Sequence, residues 1–475
     1  MKKTKIVATI GPKSESEEIL TNLSRVGVNV FRLNFSHGTH EEHGEKIDRI
    51  RALNLPGAIM LDTKGPEIRT GEVRDKVFLK VGDKFTMTTE KGIYEDTGKI
   101  SVNYQDFLKD VSVGDIIVFD SGVMLAKATN KSGTNIDFEV IEGQTNITTK
   151  RHINLMGKPV SLPTVTENDW KDIDFGIEKN IDMIALSFVR NAQSIIDVKN
   201  YCASKGRPNI QIISKIENFE ATQNLEEIIA ESDGIMVARG DLACEIPFSK
   251  VPAMQKKIVA LCAFYKKPVI IATQMLLSMV DNIQPTRAEV SDVANAIFEH
   301  VDAVMTSDET TKGFDPVNVI KVMAKIAEDT EEEIYSCQCG EDCECGCNKK
   351  DSNKKENEKC DCGCCGNDGI FSILPDCTED INAIVVVSNK AEYTNNVSTP
   401  RLNLPIFSFT SNETLKNNLH LVWGVNPILA DIKEDLDSNI EMVENTLKND
   451  FKDIKKYVLV CDVKGNLTIQ IKEIK

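Results

Sequence analysis

Residues 210–242, IQIISKIENFEATQNLEEIIAESDGIMVARGDL, carry the pattern from which the fold is read. The β-branched run Ile210–Lys215 ends on Lys215 and Glu217, and a second run, Gly234–Ala238, ends on Arg239, Gly240 and Asp241, with a helical stretch between them. Going outward, similar runs occur at Ile181–Ser187, Val269–Thr273 and Ala303–Thr306, separated by helical stretches such as Ala192–Lys205 and Pro252–Lys266. Upstream, Lys3–Ile10, Val28–Asn34 and Gly57–Asp62 repeat the pattern. Ser14 with Glu17 reads as a capping box opening a helix whose apolar face includes Ile19, Leu20, Leu23 and Val26, and a second helix is expected near Thr39–Leu53. Three runs upstream and five downstream make eight, the number of βα units that closes a TIM barrel. On periodicity alone a doubly wound open sheet is the competing architecture.

The alternation breaks between about Thr70 and Lys158, where short alternating runs (Val77–Leu79, Lys84–Thr88, Ile116–Phe119, Ile136–Val140) are punctuated by Val81-Gly-Asp and Val113-Gly-Asp turns. That segment is expected to be a small all-β insertion. The organisation read from the chain is an α/β TIM (β/α)8 barrel over 1–70 and 159–335, a β lid over 71–158, a cysteine-rich insert over 336–368 and a C-terminal α/β domain over 369–475. In the C-terminal part, Val385-Val-Val and Pro405-Ile-Phe read as strands.

A formal charge of −17 argues against general affinity for nucleic acid or an anionic membrane, but not against an anionic substrate held through bound cations. No apolar run approaches the ~18 residues that span a bilayer, and the N-terminus has no secretory pattern, so a cytoplasmic location is expected. Polar residues stand at the ends of nearly all the predicted barrel strands: Arg32, Asn34 and Ser36; Asp62, Thr63 and Lys64; Lys215 and Glu217; Arg239, Gly240 and Asp241; Thr273; Ser307 and Glu309. Active sites of such barrels sit at that rim. His37, His40 and His43 have a spacing that could suggest zinc. They open a helix and lack a nearby thiolate, and are read as surface and packing residues.

Seven segments in order, VATIGP (7–12), VFRLNFSHG (30–38), LDTKGPEIRTG (61–71), SKIEN (214–218), VARGDL (237–242), ATQML (272–276) and PTRAEVSDVANA (285–296), resemble the pyruvate kinase family over roughly residues 1–335. The resemblance implies a phosphotransferase acting on phosphoenolpyruvate and ADP/ATP with Mg²⁺ and K⁺, commonly a homotetramer. Neither a Walker P-loop nor a GxGxxG motif is present, so the nucleotide is expected to bind by another arrangement. It also implies that Lys215 stabilises the transferring phosphoryl group, Glu217 and Asp241 hold Mg²⁺, and Asn34, Ser36, Asp62 and Thr63 hold K⁺. Arg32 would grip the substrate phosphate; Gly240, Asp241 and Thr273 would meet the rest of the substrate, with Thr273 helping to relay a proton. Arg69 and Arg151 would contact the nucleotide, with Lys64 nearby, and Glu67 goes with K⁺ dependence.

The chain departs from the family pattern at Leu277, Ala243-Cys244, Asp308, Met156 and Ser121, the last replacing an aspartate. The family's glycine-bearing effector loop is here Ser388-Asn-Lys-Ala-Glu-Tyr-Thr, so activation by a sugar phosphate is not expected. Nine of fourteen cysteines lie between Cys337 and Cys365, in a segment without aliphatic or aromatic residues. Thiolate clusters for Zn²⁺ or Cu⁺, resembling metallothionein, are one reading; a linker whose cysteines do nothing specific is the other. The scattered Cys202, Cys244, Cys262, Cys377 and Cys461 read as small core or surface residues. Two further functional readings are a retired kinase kept as a metal buffer or scaffold, and a dikinase or aldolase relative. The intact Lys215, Glu217 and Asp241 oppose the first, and the inserted β segment opposes the second.

Overall fold

The structure, a computed structural model, describes residues 2–336 and 381–474. The cysteine-rich insert and Cys377 lie outside the described residues. Eight parallel strands close a barrel: Lys5–Thr9, Val30–Asn34, Ala58–Asp62, Met183–Leu186, Gln211–Ile216, Gly234–Ala238, Val269–Ala272 and Ala303–Thr306. Each pairs with its neighbour in chain order, and the eighth closes on the first through Lys5↔Ala303. The open doubly wound alternative is thereby excluded.

The period of two along a strand explains how the barrel becomes a site. Its interior is packed by Val7, Val30, Ala58, Met60, Ala185, Ile213, Met236, Ile270 and Met305. Two residues beyond many of these, on the same face, stand the polar groups: Thr9 after Val7, Arg32 after Val30, Asp62 after Met60, Ser187 after Ala185, Lys215 after Ile213. The inward face thus turns from apolar to charged toward the C-terminal rim. Outer helices are fixed at their starts by reciprocal capping boxes, Thr39 with Glu42, Thr166 with Asp169 and Thr286 with Glu289.

One capping assignment is corrected. Glu17 is the first helical residue and Ser16 is the N-cap, accepting from Ile19 N. Ser14 belongs to the preceding turn, where its hydroxyl accepts from Gly11 N at 3.0 Å. The inserted segment is a separate, largely antiparallel sheet, with its own core around Phe85, Phe107, Phe119 and Phe138. It also holds two one-turn helices, Tyr94–Thr97 and Phe107–Asp110, and a long hairpin, Met124–Ser132 with Asn135–Ile147, which short alternating runs did not disclose. Many outward positions of that hairpin are polar, so its apolar face is sparse in sequence.

The C-terminal unit is a five-stranded sheet, parallel except for the hairpin Lys456–Val463 and Asn466–Glu473. It plugs the floor of the barrel: Leu421 joins the barrel-interior cluster, and Arg401 forks onto Asp302 at 3.1 and 2.7 Å. Among the described residues no helix is long and apolar enough to cross a membrane. Cys202, Cys244, Cys262 and Cys461 are buried, with free thiols.

Candidate active site

Asp62, at the end of the third strand, is the hub of the rim. Its Oδ2 accepts from Arg32 Nε at 2.6 Å, and its Oδ1 faces Lys215 Nζ at 3.1 Å. Lys215 Nζ also donates to Ser187 Oγ at 2.8 Å and lies 3.2 Å from Glu217 Oε2. Arg32 Nη1 donates to Thr9 Oγ1 at 2.7 Å, so Nη2 is the edge of the guanidinium left to meet a ligand. The Asp62 side chain is 1% exposed and that of Glu217 0%, whereas the Lys215 side chain keeps 11%. Because Lys215 and Glu217 are two residues apart on extended chain, one face presents both.

Burial pushes the Asp62 carboxyl upward, but the charges of Arg32 and Lys215 outweigh it and hold the group below the usual carboxylate range. Burial acts to lower Lys215, and the opposing Asp62 and Glu217 charges win, raising it above an ordinary lysine. Glu217 is the odd member. Burial pushes it up to about 7, with Lys215 acting the other way and Asp241 and Asp62 adding to the rise. Glu217 Oε1 accepts from Phe188 N at 2.7 Å, while Oε2 is buried without a hydrogen bond. Lys215 lies within ion-pair distance of that oxygen, but only as an off-line charge. A buried carboxylate oxygen so placed beside a second acidic group fits a divalent cation, which favours oxygen ligands.

Asp241 and Gly240 occupy the first turn of the helix Arg239–Glu245, and Asp241 is part of the field felt by both Lys215 and Glu217. Gly240 N donates to Thr273 Oγ1 at 2.8 Å, and that hydroxyl donates to the Ala272 carbonyl at 2.7 Å. Thr273 lies just past its strand with φ +69°, followed by Gln274 at +54°, conformations costly for β-branched and other non-glycine residues and concentrated at functional sites. Arg239 fixes this turn by donating to the Ala272 and Thr273 carbonyls and to Asp292.

The four residues expected around K⁺ lie on two adjoining strand ends. Asn34 is in register with Asp62, Asn34 Oδ1 accepts from Ser36 N at 3.1 Å, and Thr63 Oγ1 accepts from Ser187 N at 3.0 Å. The donors are all oxygens with a single carboxylate among them, a set suited to a weakly hydrated monovalent ion.

Arg69 lies on a lid strand in register with His152, and Arg151 immediately precedes the strand that His152 opens. Arg69 forks onto Glu67 at 2.8 and 2.6 Å, Lys64 approaches Glu67 at 3.3 Å, and Arg151 stands 3.5 Å from Asp120. Glu67 thus balances the cations of this edge. Of the three clustered histidines two are packing groups, His43 stacking on Phe35 and His40 stacking on Phe175 and contacting Asp172, while His37 lies exposed on the surface. Glu309 is tied to Leu276 N and Ser307 N, and holds a loop rather than facing the mouth group.

Sequence reasoning passed over Thr9 and Ser187, both at strand ends, where the rim rule already applied to their neighbours. It also passed over His152, Asn154, Arg190 and Glu245, whose meeting depends on how the lid packs. No spacing signals that.

A (β/α)8 rim that gathers an arginine and a lysine around one carboxylate, beside a half-satisfied acidic pair, defines an enzyme for anionic, phosphorylated substrates. Comparison with known proteins gives the particular family. The family description "Pyruvate kinase, barrel domain" matches residues 1–320 and "Pyruvate kinase, alpha/beta domain" matches 376–466. The chain is 40% identical over 436 residues to a pyruvate kinase of Clostridium acetobutylicum, covering 91% of this chain and 89% of that protein. It is 39% identical over 440 residues to pyruvate kinase isozyme G, chloroplastic, of Nicotiana tabacum, covering 91% and 75%. A Geobacillus stearothermophilus pyruvate kinase is 42% identical over 431 residues, covering 89% and 71%. The chain belongs to the pyruvate kinase family, phosphotransferases that generally use Mg²⁺ and K⁺.

The depressed Asp62 has a stability consequence with a definite sign. Its contribution is complete above the unfolded carboxylate value of about 4 and is lost as pH falls through the lower folded value. Asp62→Asn is expected to cost about 3–5 kcal/mol at neutral pH, because two buried cations lose their partner. In urea unfolding that loss stays constant from about pH 7 to 5 and shrinks below about pH 4; a loss independent of pH throughout contradicts the assignment.

Proposed function

We propose that the barrel mouth transfers the phosphoryl group of phosphoenolpyruvate to ADP, giving pyruvate and ATP, with Lys215 as the group that stabilises the phosphoryl in flight. The observation that carries this is the Lys215 ammonium held charged between Asp62 and Glu217 at the C-terminal rim of the barrel. Phosphoryl transfer passes through a loose, charge-rich transition state, so fixed cations and positioning supply most of the catalysis.

In this reading Arg32 Nη2 meets a phosphate oxygen, because the other two nitrogens are committed to Asp62 and Thr9. The backbone at Gly240–Asp241 approaches the substrate carboxylate. The Thr273 hydroxyl, bonded between Gly240 N and the Ala272 carbonyl, would help to relay the proton to the enol carbon. Arg69 and Arg151 bring cationic charge from the lid to the nucleotide phosphates. Glu217 and Asp241 would hold Mg²⁺, and Asn34, Ser36, Asp62 and Thr63 would hold K⁺; bound there, these ions neutralise charge on the substrate oxygens. A cytoplasmic homotetramer belongs to the same reading and rests on the family alone.

The test is formation of ATP from phosphoenolpyruvate and ADP in a coupled assay with K⁺ and again with Na⁺ alone. Lys215→Ala should lose at least about a thousandfold in kcat, consistent with removal of a preorganised charge at the transferring group. The wild type should lose most of its activity in Na⁺. An active Lys215→Ala enzyme, or full activity in Na⁺ with no response to K⁺, goes against the assignment.

The C-terminal loop supports the expectation that sugar phosphates do not activate. Asn389 Oδ1 accepts from Thr410 Oγ1, Ser411 N and Ser411 Oγ, and Ser388 Oγ accepts from Lys390 N. Lys390 is paired with Asp462 at 3.1 Å, so the donors a phosphate needs are spent internally beside a carboxylate. Fructose 1,6-bisphosphate should leave half-saturation for phosphoenolpyruvate unchanged; a several-fold drop contradicts this.

A further inference from the structure

The helix Arg239–Glu245 has different partners at its two ends. Its first turn is pinned to the barrel, through Arg239 on Ala272, Thr273 and Asp292 and through Gly240 N on Thr273. Its last residue, Glu245, turns to the lid. Glu245 Oε1 accepts from Asn154 Nδ2 at 2.9 Å, and the Glu245 carbonyl accepts from Gly157 N at 2.9 Å. Glu245 Oε2 points back to the barrel, toward Phe219 N at 3.5 Å, two residues past Glu217.

Asn154 lies on the lid strand His152–Leu155, which continues directly from Arg151 and pairs with the strand bearing Arg69. Both residues of the contact are buried, Glu245 at 8% and Asn154 at 3% exposed. The other end of the Asn154 amide, Oδ1, has no hydrogen-bond partner among the described residues, so Glu245 is what fixes its orientation. A cavity of about 30 Å³, lined by His152, Asn154, Arg190 and Glu245 among others, is the space left in this seam. Arg190 crosses the seam and donates to the Leu162 carbonyl. Burial pushes the Glu245 carboxyl up to about 7, with the Asn154 bond, Phe219 N and Arg190 acting against it.

The same helix meets the lid a second time. The Cys244 thiol donates to the Gly240 carbonyl of its own helix at 3.5 Å, and the lid's Ser121 lies close enough to bear on it, as do Asp241 and Glu245. Two departures from the family pattern, distant in sequence, therefore face each other here. Serine at 121 keeps another carboxylate out of a seam that already contains two.

We infer that Glu245 is a positioning residue, a latch that couples the lid strand directly following Arg151 to the helix carrying Gly240 and Asp241, so that the nucleotide-binding edge is held in register with the phosphoryl-binding rim. The inference rests on the site assignment proposed above. The substrate end of the helix is pinned independently, so releasing the latch lets the lid shift while Gly240 and Asp241 stay in place. The effect falls on the nucleotide.

The experiment compares full-length wild type with Glu245→Leu, Glu245→Gln, Asn154→Leu and the double leucine variant. The readouts are half-saturating ADP, kcat, and phosphoenolpyruvate affinity by calorimetry. Each leucine variant should raise half-saturating ADP about tenfold, the worth of one buried hydrogen bond at the upper end of its usual range. Phosphoenolpyruvate affinity should stay within about twofold, because the bonds that pin Gly240 and Asp241 are untouched in every variant and the Glu245 variants lose on the barrel side only the long contact to Phe219 N. Glu245→Gln, which keeps an acceptor for Asn154, should restore wild-type behaviour, and the double variant should be no worse than either single one. Unchanged ADP saturation, a double effect equal to the product of the singles, or a glutamine variant as impaired as leucine overturns the latch. If Glu245→Leu does not fold, Asn154→Leu and Glu245→Gln decide by the same readings. Asp241→Asn separates the two levels: full activity there overturns the site assignment, whereas loss of activity beside unaffected Glu245 and Asn154 variants overturns the latch alone.

Discussion

The site depends on a single buried carboxylate. Asp62, 1% exposed, stands between an arginine and a lysine that would otherwise repel each other inside the barrel mouth. At the effective dielectric of a protein interior, like charges a few ångströms apart cost several kcal/mol. Asp62 converts that repulsion into two ion pairs, and the attraction does not exhaust either cation: Arg32 keeps Nη2, and the Lys215 side chain stays partly exposed. The same geometry serves a phosphorylated substrate, which brings further negative charge to a place where positive charge is already fixed.

Around this hub the rim divides its labour by strand. The third and fifth strands bring Asp62, Lys215 and Glu217. The helix after the sixth brings Asp241, and the turn after the seventh, strained at Thr273 and Gln274, brings the hydroxyl. The lid closes over this group on a strand that runs beside the Asp241 helix. The His152 imidazole is lowered by burial while Asp241 and Glu67 pull it upward, so the lid strand and the acidic rim lie within each other's fields. Chemistry drawn from distant parts of the chain is thus held on regular elements, with loops used mainly where a backbone N–H must approach.

Much of this was legible in the sequence, for a physical reason. Strand periodicity and the rim rule are local, so Lys215 with Glu217, Arg32 with Asn34, and the eight barrel strands follow from residues close together in the chain. The lid was less legible because its hairpin Met124–Ser132 with Asn135–Ile147 exposes polar residues along much of its length, which dilutes the alternation. Ser14 was mistaken for a cap because a turn hydroxyl and an N-cap hydroxyl have the same sequence signature. Glu245 and Asn154 are ninety-one positions apart, and only the packed lid brings them together. The family resemblance extended the local reading to roles, but a contact between two segments so far apart in the chain is not written in any single motif.

The most direct measurement of the central claim is binding of Mn²⁺, as a spectroscopic stand-in for Mg²⁺, followed by electron paramagnetic resonance in the presence of phosphoenolpyruvate. If Glu217 and Asp241 share one divalent ion, with the Lys215 ammonium beside the substrate they hold, wild type binds Mn²⁺ at the rim. Glu217→Gln and Asp241→Asn should then each weaken that binding by at least about tenfold, as expected for loss of a carboxylate oxygen from a hard-cation site. Wild-type affinity retained in both variants would show that the two carboxylates do not share an ion, and the account of the site would fail.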